Sequence, residues 1–202
     1  MEENVFNQMA KKYDTEDRKE LANIIADEIN RALSGKQQYR SLLDYGGGTG
    51  LVTFQLADQF EKVTLMDASK EMIQVAQGKI KKQQLNQFKA IEFNLAEDDS
   101  LEMKADVIVL SLVLLHIPDI EPLLQKLSTL LHPNGMLILV DFDKNKRIQH
   151  PKVHNGFTKE EINRALNHAG LQNIEMNTFY HGSNIFMNQD ASLFISTSIR
   201  SI

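Results

Sequence analysis

The sequence predicts a single α/β domain: a seven-stranded, mostly parallel sheet with helices on both faces and a C-terminal antiparallel hairpin. Beyond a helical N-terminal region, short apolar runs alternate with helical patterns, which is typical of a parallel sheet covered on both faces. The last two strand-like runs lie too close together for an intervening helix, so they are expected to pair antiparallel. The chain has 202 residues, 42% of them hydrophobic, which suits one domain with a substantial core.

The N-terminal residues, 1–40, are predicted to form a helical cap, and residues 41–202 the core. Within the cap, residues 6–14 and 17–33 have helical patterns. The second helix places apolar residues along one side. These residues are Leu21, Ile24, Ile25, Ile29 and Leu33.

Five short apolar runs in the core are predicted parallel strands. They cover residues 41–45, 62–67, 88–93, 105–110 and 136–142. Helices are predicted over 51–60, after a cap at Ser69, over 119–131, and from a capping box of Thr158 and Glu161 through His168. The hairpin strands are residues 171–180 and 191–199, joined by a polar loop.

The segment from residue 42 to residue 50 reads Leu-Leu-Asp-Tyr-Gly-Gly-Gly-Thr-Gly and predicts a ligand-binding turn between strand and helix. Glycines there let the chain turn tightly and leave bare main chain for a ligand. Asp44 argues against a diphosphate ligand, because like charges repel, and favours a ligand that carries a cation. In a dinucleotide fingerprint starting at Gly46, the third glycine would stand where the chain has Leu51.

The pattern Asp44-x-Gly46-x-Gly48-x-Gly50 resembles the first motif of the class I S-adenosylmethionine (SAM) methyltransferases. The resemblance extends over essentially the whole chain from residue 41 and implies a Rossmann-like fold with SAM as cofactor. In that family the loop wraps the amino-acid end and the ribose of SAM. The acid interacts with the ligand's ammonium group, often through water.

Asp67 ends the second predicted strand, roughly twenty residues beyond the glycine loop, where an acid accepts hydrogen bonds from both ribose hydroxyls. Ala68 leaves room for the nucleoside. Met72 lies one turn into the next helix and is predicted either on the adenine face or in the core.

Asn94 ends the third predicted strand, where similar methyltransferases often carry an aspartate that accepts from the adenine amino group. The asparagine can still accept through its amide oxygen. Glu97 or Asp98 are alternatives for that role. The resemblance also implies that the backbone of Leu95 and Ala96 bonds the purine edge.

Ser111 follows the fourth strand at the predicted switch point of the sheet, where ligands bind in open α/β folds. Residues 111–119 resemble the matching motif of small-molecule methyltransferases and lack the Pro-Pro-aromatic run of enzymes that methylate exocyclic amines. Residues 6–14 resemble the helix that covers SAM in related proteins, with Tyr13 near the methionine end. Packing of that helix on the sheet for stability is the alternative.

His116 is the candidate general base, because imidazole titrates near neutral pH. The alternative is a histidine that packs against the loop or bonds its backbone. His150 and His154, in a short basic segment, are candidates for binding an anionic acceptor, or else belong to a solvated loop. No metal site is predicted: the histidines lack zinc spacing and Asp141 and Asp143 lack a third ligand.

The net charge of −5 gives no electrostatic footprint for nucleic acid. The chain has no cysteine, which excludes disulfides and cysteine nucleophiles. It lacks a signal-peptide pattern and an apolar run of membrane-spanning length, so a cytoplasmic protein is expected.

These observations predict transfer of a methyl group from SAM to an unidentified small-molecule acceptor, similar to the ubiquinone/menaquinone methyltransferases. A nicotinamide-dependent oxidoreductase and a non-catalytic SAM-binding partner subunit are the alternatives. The oligomeric state is left open.

Overall fold

A computed structural model describes residues 3–36, 38–95, 101–151 and 153–201, with side chains from residue 6 onward. It contains one seven-stranded sheet with the order β3-β2-β1-β4-β5-β7-β6. The strands are β1 Ser41–Tyr45, β2 Lys62–Asp67, β3 Phe88–Glu92, β4 Ala105–Ser111, β5 Leu131–Phe142, β6 Leu171–Phe186 and β7 Gln189–Arg200. The first five pair in parallel, whereas β7 is antiparallel to β5 and β6. The predicted fold class is confirmed.

The α-helices lie close to their predicted positions. They are α1 Glu3–Met9, α2 Glu16–Leu33, α3 Thr53–Leu56, α4 Lys70–Gln83, α5 Ile120–Leu130 and α6 Lys159–His168. The predicted helix over 51–60 is instead the short α3 followed by a 3₁₀ turn, Ala57–Gln59. The predicted capping box of α6 is present, with Thr158 and Glu161 each accepting the other's backbone N–H.

The core lies on both faces of the central strands. Leu110 of β4 and Leu137 and Ile138 of β5 are at most 1% exposed, as expected for strands covered by helices. Helix α2 adds Ile25 and Ile29 to the same hydrophobic cluster. Helix α2 of the N-terminal region therefore packs into the same hydrophobic core as the sheet.

The hairpin is longer than the sequence predicts. The polar segment expected as a loop is strand almost throughout, because β6 and β7 are joined by only Met187 and Asn188. Both have positive φ, +52° and +58°, as a type I′ turn requires. The pairing shifts register between Gly182 and Phe186, so the hairpin end is bulged.

No helix in the described ranges is both long enough and apolar enough to cross a bilayer.

Candidate functional site

A cavity of about 270 Å³ lies at the carboxyl ends of the parallel strands. Its walls include the glycine loop after β1, Asp67 of β2, Ser111 of β4 and Phe142 of β5. Helices α1, α2 and α4, the 3₁₀ turn Leu114–His116 and the end of the hairpin also contribute side chains to the wall. This is the position where open α/β sheets bind ligands.

The glycine loop is held against β2 by main-chain hydrogen bonds. The N–H groups of Gly46 and Gly47 both donate to the carbonyl of Met66, at 2.7 and 3.1 Å. Gly46 has φ of +74°, and a Cβ there would lie 2.5 Å from a methyl carbon of Val113. A side chain at this position is therefore excluded by both conformation and space.

Gly48 differs from its neighbours because the space beside it is open. Its φ is +57°, no atom lies within 4 Å of where a Cβ would stand, and the residue lines the cavity. Gly50, by contrast, has φ of +87°, and a Cβ there would lie 2.4 Å from a ring carbon of Phe54. Gly48 thus presents bare backbone to the cavity, while Gly50 permits the tight turn into α3.

Asp67 lines the cavity and fixes the loop. Its Oδ2 accepts from the N–H of Gly48 at 2.9 Å, and its Oδ1 accepts from the N–H of Ser69 at 2.8 Å. Burial raises the pKa of Asp67, and the bonds from Ser69 and Gly48 oppose that change. Each oxygen accepts one backbone bond and keeps a second lone pair for a ligand hydroxyl.

Asp44 lies behind the glycine loop and is not part of the cavity wall. It is 1% exposed, its Oδ2 accepts from the Thr53 hydroxyl at 2.5 Å, and its Oδ1 is buried without a partner. Burial raises the pKa of Asp44 to about 7, against the Thr53 hydrogen bond. Its pairing with a ligand cation remains a prediction.

Of the residues predicted around the adenine, the structure places Met72 in the cavity wall, 1% exposed. Ala68, Asn94 and Leu95 do not line the cavity. The Leu95 carbonyl accepts from Lys126 Nζ at 3.0 Å and is thus already engaged. The predicted contacts of Ala96, Glu97 and Asp98 lie outside the described residues.

Tyr13 lines the cavity together with Arg18, a residue that the sequence analysis missed. The Arg18 guanidinium lies 4.2 Å from the Tyr13 ring centroid, and its Nη1 donates to the Tyr13 carbonyl at 3.0 Å. Arg18 is at helical spacing from Leu21, Ala22 and Ile25, which also line the cavity. This spacing could have indicated Arg18 as a site residue, because it puts a cation on the same face of α2 as the apolar residues.

The N-terminal segment is fastened to the glycine loop by polar contacts. Asp14 accepts from the Thr49 hydroxyl at 2.5 Å and from Lys79 Nζ at 2.7 Å. Lys79 Nζ also donates to the Thr49 carbonyl at 2.7 Å, and the Ser69 hydroxyl donates to Asn7 at 2.5 Å. We name Asp14, Thr49 and Lys79 the clasp.

Replacing Lys79 by methionine is expected to speed the release of a ligand bound under the N-terminal segment by about 3- to 10-fold. The reason is that the clasp loses one partly buried ion pair, which contributes about 1 kcal/mol. Stopped-flow dissociation of S-adenosylhomocysteine (SAH) measures the rate. Lys82→Met, at an exposed position of the same helix, is the control; equal release rates for the two variants would contradict the clasp.

Ser111 and Leu112 line the cavity where β4 ends. Leu112 has φ of +56°, a conformation uncommon for a bulky side chain, and its N–H donates to the Val140 carbonyl at 2.8 Å. The chain therefore turns sharply here and leads into the 3₁₀ turn Leu114–His116.

His116 lines the cavity, and its ring meets that of Phe6 edge-on at 5.2 Å between centroids. Burial lowers the pKa of His116 to about 4, so the imidazole is neutral near pH 7. Beneath this turn, the buried Asp141 accepts from the N–H of Leu115 at 3.2 Å. The turn is thus held in place, but its histidine is a weaker base than an exposed one.

His150 and His154 do not line the cavity, and their role in binding an acceptor stays a prediction. The His154 Nε2 lies 2.8 Å from the carbonyl of Ile117, which can only accept, so this nitrogen carries the proton. The backbone N–H of His154 donates to the Leu115 carbonyl at 2.8 Å. His154 therefore fastens its loop to the turn that carries His116.

No group of three or more potential metal ligands occurs among the described residues. Asp143 Oδ2 accepts from the Thr178 hydroxyl at 2.8 Å, on the hairpin side of the sheet. Asp141 is buried under the 3₁₀ turn, as described above.

The fold and the cavity together define a class I methyltransferase. The family described as "Methyltransferase domain" matches residues 15–176, and the chain belongs to this family.

The relatives have several acceptors. The chain is 29% identical over 160 residues to an uncharacterized methyltransferase of Schizosaccharomyces pombe, covering 70% of this chain and 56% of that one. It is 30% identical over 144 residues to the tRNA 5-carboxymethoxyuridine methyltransferase of Escherichia coli, covering 66% and 52%. It is 32% identical over 124 residues to a ubiquinone biosynthesis O-methyltransferase of Pelagibacter ubique, covering 60% and 50%. The chain thus spans about half the length of these relatives.

A similar solved structure is the DhpI–SAH complex, with a TM-score of 0.72 and 17% identity, covering 98% of this chain and 95% of that one. At this identity the likeness supports the fold.

Proposed function

We propose that this chain binds SAM in the cavity and transfers its methyl group to a small-molecule acceptor. The observation that carries the proposal is Asp67: a buried carboxylate that lines the cavity and is joined to the bare backbone of Gly48. A nucleoside with two ribose hydroxyls and a cationic centre fits this pairing. Family membership and the SAH complex of a protein with the same fold support it.

Three groups among the residues proposed to hold SAM are each assigned to one part of the ligand. The glycine loop is proposed to face the amino-acid end of SAM, with Asp44 buried behind the loop, and Asp67 is proposed to face the ribose. The Arg18 guanidinium, beside Tyr13, is placed to pair with the methionine carboxylate, since arginine binds carboxylates strongly. The complete proposed set is Tyr13, Asp44, Gly46, Gly48, Gly50, Asp67, Ala68, Met72, Asn94, Leu95, Ala96 and Ser111, with Arg18 added.

SAM supplies an electrophilic methyl group, so the protein's main task is to hold the acceptor in line with it. His116 faces the cavity as a neutral imidazole, which can accept a hydrogen bond from an acceptor O–H, N–H or S–H. Phe6 packs against its ring and fixes the orientation. We therefore propose that His116 orients the acceptor and receives its proton only as the new bond to carbon forms.

Binding of SAH and not of NAD is the expected result of a direct test. A ligand that binds the folded state at 100 times its Kd stabilises it by about 2.7 kcal/mol. SAH should therefore raise Tm by several degrees, whereas NAD at the same concentration leaves Tm unchanged. The reverse result, measured by scanning fluorimetry and calorimetry, would favour the oxidoreductase.

Turnover is tested separately from binding. The purified chain, incubated with SAM and a panel of small nucleophiles, should release SAH faster than SAM alone decomposes. Binding without turnover on any acceptor, restored when a second protein is added, would favour the non-catalytic subunit.

A further inference from the structure

The strand order places one end of the cavity away from the proposed cofactor groups. Asp67 ends β2 and Phe142 ends β5, and both line the cavity. The order β2-β1-β4-β5 separates them by three strand spacings, or about 14 Å. The end at β5 is therefore distinct from the end that holds Asp67 and the glycine loop.

Apolar side chains line the β5 end of the cavity. Phe142 comes from β5, Ile185 from the hairpin, and Leu115 from the 3₁₀ turn, where its N–H donates to Asp141 of β5. Helix α2 adds Leu21 and Ile25 to the wall of the same cavity. His116 adds a neutral imidazole. The cation of the cavity, Arg18, lies over the Tyr13 ring and is the group proposed to pair with the methionine carboxylate. Burying an unpaired charge against such walls costs several kcal/mol or more, whereas an uncharged apolar molecule gains from the contact.

The end of the hairpin is built to bring Ile185 into this wall. The register shift between Gly182 and Phe186 and the positive φ of Asn184, +58°, bulge the strand there. Phe186 stacks on Phe142 with centroids 4.1 Å apart, which fixes the bulge to β5. A Cβ at Gly182 would lie 2.8 Å from Ile185 Cγ2, so the glycine leaves room for this side chain.

We propose that the hairpin end completes an acceptor subsite for an uncharged, largely apolar small molecule, and that Ile185 limits the size of that molecule. The proposal rests on the proposed function. In the reaction, an electron pair on the acceptor's O, N or S forms the bond to the methyl carbon. The carbon–sulfur bond breaks with its electron pair remaining on sulfur, and the acceptor's proton passes to His116 or water.

The basic segment between β5 and α6, which carries His150 and His154, is predicted from the sequence either to bind an anionic acceptor or to be a solvated loop. The structure puts neither of these histidines in the cavity wall. The hairpin reaches the cavity instead, because β6 extends as far as Phe186.

The test uses the SAH complex and three probes of similar size: phenol, benzoate and benzylammonium. Phenol is expected to bind the wild-type complex at least 10-fold more tightly than either charged probe, as measured by ligand-observed NMR or calorimetry. Equal or tighter binding of benzoate or benzylammonium would overturn the proposed acceptor chemistry. Failure of the wild-type chain to bind SAH would instead contradict the proposed function itself.

Variants at the hairpin test the role of Ile185. Ile185→Glu is expected to weaken phenol binding at least 10-fold while the Kd for SAH changes less than 2-fold, which also shows that the variant is folded. Ile185→Ala is expected to improve binding of 1-naphthol relative to phenol about 5-fold. The control is Met187→Glu, in the adjoining turn, where the side chain is 44% exposed and outside the cavity wall.

An unchanged ratio of 1-naphthol to phenol binding in Ile185→Ala would overturn the size limit. Two results would overturn the place of Ile185 in the subsite. One is unchanged phenol binding in Ile185→Glu. The other is an equal loss of phenol binding in Met187→Glu, because that would reflect a general effect of charge on the hairpin.

Discussion

Replacing Asp67 by alanine is expected to weaken SAH binding by about 100-fold or more. The carboxylate is placed to accept from two ribose hydroxyls, and hydrogen bonds to a charged group contribute about 1.5–3 kcal/mol each. The variant also loses the bonds from Gly48 and Ser69 that fix the loop. Both losses weaken binding of the same ligand. The variant is therefore expected to lose more free energy of SAH binding than free energy of unfolding.

Asp106→Ala is the matched control. This carboxylate also accepts two backbone bonds, from Arg40 and Ser41 at 2.9 Å, but at the opposite, amino end of the parallel strands. Its loss should lower stability and leave the Kd for SAH unchanged. Calorimetric titration of both variants decides the point: near wild-type affinity in Asp67→Ala would falsify the ribose assignment.

The free energy of unfolding is expected to be about 3 kcal/mol lower at about pH 8 than at about pH 5. Burial raises the pKa of Asp44 and of Asp141 to about 7, from an ordinary value of 3.8. Between these values the folded state holds protons that the unfolded state has lost. Each carboxyl therefore makes the free energy of unfolding fall by about 1.4 kcal/mol per pH unit as the pH rises.

His116 acts in the opposite direction over part of the same range. Burial lowers its pKa from 6.5 to about 4, so below about pH 6.5 the unfolded state binds a proton that the folded state does not. Its contribution to stability is present above the unfolded value and is lost as the pH falls. It offsets one carboxyl between about pH 4 and pH 6.5, and above that range Asp44 and Asp141 act without this opposition until about pH 7.

Two variants separate these contributions, with urea denaturation at each pH as the measurement. Asp44→Asn is expected to leave the stability nearly the same at pH 5 and pH 8, because the remaining carboxyl and His116 largely cancel. His116→Gln is expected to increase the difference to about 5 kcal/mol, since the opposing group is removed. A wild-type protein that is more stable at pH 8 than at pH 5 would show that these carboxyls titrate normally.

The order of strands and helices could be predicted because local patterns specify it. The buried runs of β4 and β5 and the capping box of Thr158 depend on neighbouring residues, and they lie where expected. The predicted bounds of three elements were wrong, because contacts between distant residues set where an element begins and ends. Leu131 joins β5 because it pairs with Ala105, α3 is short, and the polar hairpin segment is strand because β7 extends alongside it.

The cavity wall could be predicted in part. Asp67, Met72, Tyr13, Ser111 and His116 line it, because they follow strand ends or face them. Their roles toward SAM remain proposals. The placements of Asp44 and His154 depend on contacts that no local pattern reveals: Asp44 with Thr53 behind the loop, and His154 with the Ile117 carbonyl.

The sequence by itself determined the alternation of elements and the glycine loop, with an acid at the end of each of the two neighbouring strands. These features follow from hydrophobic periodicity and from the conformations that only glycine adopts readily. Only the tertiary structure decided that Arg18 and Ile185, from opposite ends of the chain, share one cavity with Phe142. The reason is that strand order and hairpin register fix which distant side chains meet, and neither is encoded in the spacing of residues along the chain.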